Sequence, residues 1–215
     1  MQFDDSLLAD PARLADADIA GVLRATAMAG AQVRSCVELA AELNFADRVS
    51  LERPRALVLV ARPGVGHAAI ALLAALLGPA CPVPVVVTDV VPSWVGALDV
   101  VYAHVDDPGD RELAATLHRA GRYGATVVVS APPDGPVAAS VAGHGVLIAP
   151  SLVVRSNQTY ARALVTGFLT VQALGLLDVD LGALADELDA EAEKDHLGHE
   201  SFVNPAKALA LRIAE

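Results

Sequence analysis

The sequence predicts an α/β protein built on a doubly wound, five-stranded parallel sheet, with further helices before and after the sheet. Two observations predict it. Short runs of apolar, often β-branched residues alternate with helix-length segments from residue 55 onward. The strand runs are apolar throughout rather than alternating, which is typical of parallel strands covered by helices on both faces.

Helices precede the first strand. Asp10 can cap a helix that has Pro11 in its first turn, and apolar residues then recur at helical spacing as far as residue 29. Gly30 interrupts the pattern, and a second amphipathic stretch ends near residue 46. The sequence therefore predicts one helix over residues 11–29 and another over the segment that follows Gly30.

The sheet follows in five runs: residues 57–61, 83–88, 98–103, 126–130 and 146–149. The segments between them predict helices over residues 66–77, 107–120 and 135–142, and a short helical turn near Trp94. Beyond the last run, residues 160–177 predict a buried helix and residues 181–194 an amphipathic helix with its acidic residues outward. A last helix is predicted to start at Asn204-Pro205.

This order suggests three parts: N-terminal helices in residues 1–50, an α/β core in 51–150, and C-terminal helices in 151–215. The last helix reaches the end of the sequence without a capping residue. We therefore expect the C-terminal helices to lead into a further domain.

The composition excludes several classes of partner. A formal net charge of −11 argues against nucleic acid and anionic membranes, which are bound through positive charge. The 26 uncharged residues between Arg62 and Asp89 are interrupted by Pro79, Pro82 and Pro84, so they predict a helix and a strand rather than a membrane span. Two cysteines and an acidic N-terminus without a signal peptide predict a cytoplasmic protein.

The loop after the first strand is the clearest candidate site. Gly64 and Gly66 permit a tight turn whose amides would face an anion at the start of the next helix, although they could form only a structural turn. The spacing Gly64-x-Gly66-x-x-Ala69, with Asp89 twenty residues later, also fits a dinucleotide-binding fingerprint. An NAD-binding domain is therefore an alternative interpretation.

Two other segments are rich in polar residues. Asp106, Asp107 and Asp110 follow the third strand, where carboxylates would cap a helix and repel a phosphate. The segment His196-Leu197-Gly198-His199-Glu200 lacks the spacing of known zinc motifs, and Gly198 would break a ligand-bearing helix. The sequence therefore predicts no metal site.

The order and spacing of several motifs resemble a known family. They are the glycine loop at residues 64–68, Val91-Pro92-Ser93-Trp94-Val95, Pro133-Asp134-Gly135-Pro136-Val137-Ala138 and Asn204-Pro205-Ala206-Lys207. Together they resemble the sugar isomerase (SIS) domain of bifunctional phosphoglucose/phosphomannose isomerases, in its TobH-like branch. The resemblance covers most of residues 10–215 and implies a flavodoxin-like fold.

The resemblance also implies a function. Members of that family carry two SIS domains in tandem, act as dimers without a cofactor, and interconvert aldose and ketose phosphates such as fructose 6-phosphate. The chain would correspond to the first half of such a protein. A non-catalytic dimerisation module, formed by helices in residues 160–177 and 204–213, is a further alternative.

Site residues carry over from the family only in part. Gly64, Gly66 and His67 fall on the family's first glycine loop, where the chain lacks the usual serine. The family's phosphate loop falls on residues 105–112, so the resemblance assigns substrate binding to Asp107, Gly109 and Asp110. It assigns the catalytic base to Glu200.

The aligned loop has Val105, Asp107 and Asp110 where the family has hydroxyl donors. Because carboxylates reverse the local charge, we expect weak or no isomerase activity from this chain on its own.

Overall fold

The computed structural model describes residues 6–149 and 152–214. The helices before the sheet are α1 (Ser6–Ala9), α2 (Pro11–Ala17), α3 (Val22–Ala27), α4 (Ala29–Glu42) and α5 (Phe45–Val49). The sheet region contains β1 (Ala56–Ala61), α6 (Val65–Leu77), β2 (Val85–Thr88), β3 (Asp99–His104), α7 (Arg111–Arg122), β4 (Thr126–Ser130), α8 (Pro136–Val141) and β5 (Gly145–Ile148). A 3₁₀ turn (Ser156–Gln158) then precedes α9 (Tyr160–Ala173), α10 (Leu181–Lys194) and α11 (Pro205–Ala214).

The chain divides into two compact units. A helical unit combines Met1–Ala31 with Gly182–Glu215, and a sheet unit comprises Gln32–Leu181. No helix within the described ranges is long and apolar enough to cross a membrane.

The sheet confirms the predicted fold class. Its five strands are all parallel and lie in the order β2-β1-β3-β4-β5, so the connections wind in both directions from β1. Each strand lies within two residues of its predicted position. Strand positions were predictable because an unbroken apolar run can be buried on both faces only inside such a sheet.

Helices cover both faces of this sheet. Alternate strand residues such as Val58, Val101 and Val129 pack in one core with Leu113 and Leu117 of α7. On the opposite face, Tyr102 is fully buried and its hydroxyl donates to the carbonyl oxygen of Ala163 in α9. A Cβ on Gly167 of α9 would lie 2.6 Å from Leu73 Cδ2 of α6, so this glycine permits a close approach of the two helices.

The predicted helix over residues 11–29 is wrong as a single element. Gly21 has φ +66°, a left-handed conformation that ends helical geometry between α2 and α3. The Asp18 carboxylate accepts hydrogen bonds from the amides of Val22 and Leu23, which starts a new helix. The Asp18 cap and the backbone of Gly21 therefore divide the segment into two helices, although its apolar residues recur at the spacing of one helix.

Other helix predictions also differ from the structure. Gly30 lies inside α4 instead of separating two helices, and α9 ends at Ala173 instead of residue 177. Asn44 has φ +50°, so the second predicted helix becomes α4 and α5. The segment around Trp94 is a turn without helix. Helix α7 starts at Arg111 rather than residue 107, because the carboxylate of Asp110 caps it by accepting from the Leu113 amide.

In the helical unit, side-chain hydrogen bonds hold the turn before α11. The Asn204 side chain caps α11 by accepting from the Lys207 amide at 2.9 Å. The ammonium of Lys207, a nearly buried residue, donates to the carbonyl oxygens of Leu197 and His199, each at 2.8 Å. These bonds hold the turn that precedes α11.

Candidate functional site

The turn between β1 and α6 lies at the carboxyl edge of the sheet, where open parallel sheets bind ligands. Gly64 has φ +143° and ψ −154°, a conformation open only to glycine, and a Cβ added to it would meet no atom within 4 Å. Among residues 6–149 and 152–214, the amides of Val65, Gly66 and His67 have no hydrogen-bond acceptor. The first turn of α6 therefore has three amides without acceptors next to a glycine whose Cβ direction is open.

Gly66 brings this helix against the end of β3. A Cβ on Gly66 would lie 2.4 Å from His104 Cδ2, so no other residue fits there without a shift of the imidazole. His104 is the last residue of β3 and is 2% exposed. The glycine thus places the first turn of α6 directly on the histidine ring.

His104 lies at the centre of a polar network. Its Nδ1 is 3.1 Å from Ser130 Oγ, and its Nε2 is 3.2 Å from both Asp106 Oδ1 and Thr159 Oγ1. Burial lowers the pKa of His104 more than the Asp106 carboxylate raises it, so the ring is neutral at neutral pH. Because a carboxylate only accepts, the neutral ring donates from Nε2 to Asp106 and accepts from Ser130.

Asp106 is held through one oxygen. Its Oδ1 accepts from Thr159 Oγ1 at 2.7 Å and from His104, and lies 3.9 Å from Arg162 Nη2. Burial alone would raise the pKa of Asp106, but the hydrogen bonds from His104 and Thr159 and the Arg162 charge outweigh it and lower that pKa. Asp106 is therefore an ionised carboxylate with a fixed orientation.

Arg162 is a buried cation beside this carboxylate. Its side chain is 9% exposed, and its Nε has no hydrogen-bond partner in the described part of the chain. Burial lowers the pKa of Arg162, and the nearby Asp106 charge opposes that effect. The guanidinium is thus short of acceptors next to Asp106.

Arg62, directly after β1, is bound to the acidic residues of the β3–α7 loop. Its Nε donates to Asp110 Oδ2 at 2.7 Å and its Nη2 to Glu112 Oε2 at 2.6 Å, and Asp89 lies 4.0 Å away. The hydrogen bond from Arg62 lowers the pKa of Asp110. This arginine is therefore already engaged by carboxylates.

The residues assigned from the sequence fall in three places. Gly64, Gly66 and His67 form the start of α6, and His67 is exposed. Asp107 is exposed and accepts from the Gly109 amide at 2.8 Å, while Asp110 caps α7. These residues lie in the first turn of α6 and in the β3–α7 loop, both at the carboxyl edge of the sheet.

Glu200 belongs to the helical unit. It is exposed and lies in the turn before α11, where its carbonyl oxygen accepts from Val203 and Asn204.

The network itself was not predicted from the sequence. Its members are His104, Asp106, Ser130, Thr159 and Arg162. The available signal was a polar residue, His104 or Ser130, that closes the apolar run of β3 or β4 at its carboxyl end. In the same described ranges, no group of three His, Cys, Asp or Glu side chains is arranged to hold a metal ion.

No family model and no curated protein matches this chain. Solved structures do. A hypothetical protein from Thermus thermophilus matches at 16% identity and TM-score 0.65, over 97% of this chain and 52% of that chain. A candidate phosphosugar isomerase from Bacillus subtilis matches at 15% identity and TM-score 0.57, over 77% and 51%.

The C-terminal domain of glucosamine-fructose-6-phosphate aminotransferase from Francisella tularensis matches at 9% identity and TM-score 0.55, over 82% and 52%. This chain therefore spans about half the length of each of these solved chains. At such identities the likeness establishes a shared fold. The chain has a doubly wound, flavodoxin-like α/β fold, which it shares with these solved proteins.

Proposed function

We propose that this chain is an SIS-type domain that binds a phosphorylated sugar at the carboxyl edge of its sheet. The observation that carries the proposal is the open turn at Gly64, which is followed by three amides of α6 without acceptors at this edge of the sheet. Several solved proteins of the same fold are described as candidate phosphosugar isomerases. The phosphate would bind at the α6 amides of Val65, Gly66 and His67.

The acidic β3–α7 loop is poorly suited to a phosphate, which supports weak or no isomerase activity. In this loop Asp107 accepts from a backbone amide and Asp110 from both a backbone amide and Arg62, so their carboxylates take the donors that a phosphate would need. Loss of charge-assisted hydrogen bonds to phosphate would cost about 1.5–3 kcal/mol each. We propose weak or no isomerase activity for this chain on its own, with Glu200 as the residue that would act as base.

We also propose that the chain belongs to the TobH-like branch of the family and that its ligand is fructose 6-phosphate. We further propose that its three parts are followed by a second SIS domain and that the protein forms a homodimer. Leu209 and Ile213 of α11 are 52% and 76% exposed, which supports an interface on this helix. Light scattering over a range of concentrations would test the dimer, and a constant monomer mass would contradict it.

The binding proposal is tested by thermal unfolding with fructose, glucose and mannose 6-phosphates and with inorganic phosphate. A ligand at about 100 times its Kd adds about 2.7 kcal/mol, which raises Tm by roughly 5–10 °C at this size. Gly64→Ala should abolish the shift, because its methyl group fills the open space before the α6 amides.

The matched control is Gly143→Ala. Gly143 also has a positive φ of +81° and open surroundings, so the variant carries backbone strain away from α6. It should keep the ligand-induced shift. Absence of a shift with every sugar phosphate in the parent protein would contradict the proposed function.

NAD binding is a second candidate, favoured by one observation. Gly64 ends the β1–α6 turn and Asp89 directly follows β2, which are the positions that the dinucleotide fingerprint requires. Titration with NADH tests it: enhanced cofactor fluorescence that is lost in Asp89→Ala would support it. No enhancement at millimolar NADH would exclude it.

A further inference from the structure

Asp106 has one oxygen that is left free. All three of its polar contacts, from His104, Thr159 and Arg162, go to Oδ1. Its Oδ2 has no partner among the residues that the structure describes, and the side chain is 27% exposed. A fixed, ionised carboxylate with a free, accessible oxygen is an acceptor for a hydrogen-bond donor on a ligand.

Arg162 is a buried cation beside the same carboxylate. Its Nη2 is 3.9 Å from Asp106 Oδ1, beyond hydrogen-bond distance, and its Nε is an orphan donor in a side chain that is nine-tenths buried. A buried guanidinium normally has its donors satisfied. The pair is thus short of an acceptor for Arg162 and of a donor for Asp106.

A ligand hydroxyl beside Asp106 supplies a donor for its Oδ2 and an acceptor for Arg162 Nη2, while the buried Nε stays out of a ligand's reach. A hydroxyl donates one hydrogen bond and accepts others, whereas a phosphate offers acceptors and a charge that Asp106 repels. The neighbouring acids Asp107 and Asp110 oppose a phosphate at this loop in the same way. The geometry therefore favours the sugar end of a ligand over its phosphate end.

We propose that Asp106 binds a carbohydrate hydroxyl through Oδ2, with Arg162 beside it and with His104 and Thr159 as positioning residues. This inference rests on the proposed function. It assigns the β3–α7 loop to recognition of the sugar, while the phosphate is bound at α6.

Calorimetric titration of the full chain tests the assignment. Asp106→Asn should weaken binding of fructose 6-phosphate roughly 10- to 100-fold, the loss typical of a hydrogen bond to a charged group. It should not weaken binding of inorganic phosphate, because phosphate makes no hydrogen bond to this residue and loses only a repulsive charge. The control Asp134→Asn changes an exposed carboxylate in the loop after β4 and should alter neither affinity.

Two substitutions of Thr159 test whether this residue positions Asp106 or only supports the fold. Thr159→Ser keeps the hydroxyl that donates to Asp106 and should keep the affinity for fructose 6-phosphate. Thr159→Val removes that hydroxyl at nearly constant volume and should weaken sugar-phosphate binding while phosphate binding stays. Equal affinities for the two variants would overturn the positioning role.

Monodeoxy glucose 6-phosphates test the site without any substitution, should Asp106→Asn fail to fold. At least one deoxy analogue should bind the parent roughly 10-fold more weakly than glucose 6-phosphate. If none does, or if Asp106→Asn binds fructose 6-phosphate as tightly as the parent or more tightly, the inference is wrong and the proposed function stands. If the parent binds no sugar phosphate, both are wrong.

Discussion

His104 and Gly66 are in direct contact: a Cβ on Gly66 would lie 2.4 Å from His104 Cδ2. The imidazole cannot move away easily, because Ser130 holds its Nδ1 and Asp106 and Thr159 hold its Nε2. A single close approach therefore joins the turn at α6 to the network at the ends of β3 and β4.

Gly66→Ala should destabilise the protein by about 1–3 kcal/mol, because the methyl group overpacks a site where the ring is fixed. Urea denaturation followed by circular dichroism measures the change. A substitution to Ala in α6 would otherwise raise helix propensity. Unchanged or greater stability would show that the ring can move aside.

His104 should make stability depend on pH below neutrality. Its pKa is lowered in the folded state, so the unfolded state binds the proton more tightly and stability falls as pH decreases below about 6.5. The slope for one proton is at most about 1.4 kcal/mol per pH unit. Asp106, whose pKa lies below 3.8 when folded, contributes only under more acidic conditions.

The pH effect is measured by urea denaturation at pH 7 and pH 5.5 in the parent and in His104→Gln. The parent should lose more stability than the variant over this interval. His67→Gln, at an exposed position, serves as the control and should retain the parent's slope. Equal slopes in the parent and His104→Gln would contradict a buried neutral histidine.

Asp110 should contribute to stability as a helix cap. Asp110→Ala leaves the Leu113 amide without its side-chain acceptor and should cost about 0.5–2 kcal/mol. Asp110→Asn keeps an acceptor for that amide and should cost less. Thermal unfolding of both variants measures the difference, and the prediction fails if Asn costs as much as Ala.

The two cysteines should differ in reactivity. Burial raises the pKa of the Cys36 thiol to about 11, and Cys36 is fully inaccessible, whereas Cys81 is partly exposed. A colorimetric thiol reagent at pH 8 should modify one thiol rapidly in the native protein and two in urea. The fast reaction should disappear in Cys81→Ser; its persistence there would show that Cys36 is accessible.

The sequence by itself determined the five strands and their parallel arrangement, because an apolar run flanked by helices carries that information locally. It also located the turn at Gly64, since glycine alone tolerates the backbone there. It could not locate the break at Gly21, where the carboxylate of Asp18 competes with the apolar pattern.

Only the tertiary structure decided the composition of the network. The parallel register pairs His104 with Ala61 on one side and Ser130 on the other, and α9 adds Arg162 from almost sixty residues away. Which oxygen of Asp106 is occupied follows from distances among these separate segments. Such contacts depend on register and helix packing, which no local pattern of residues encodes.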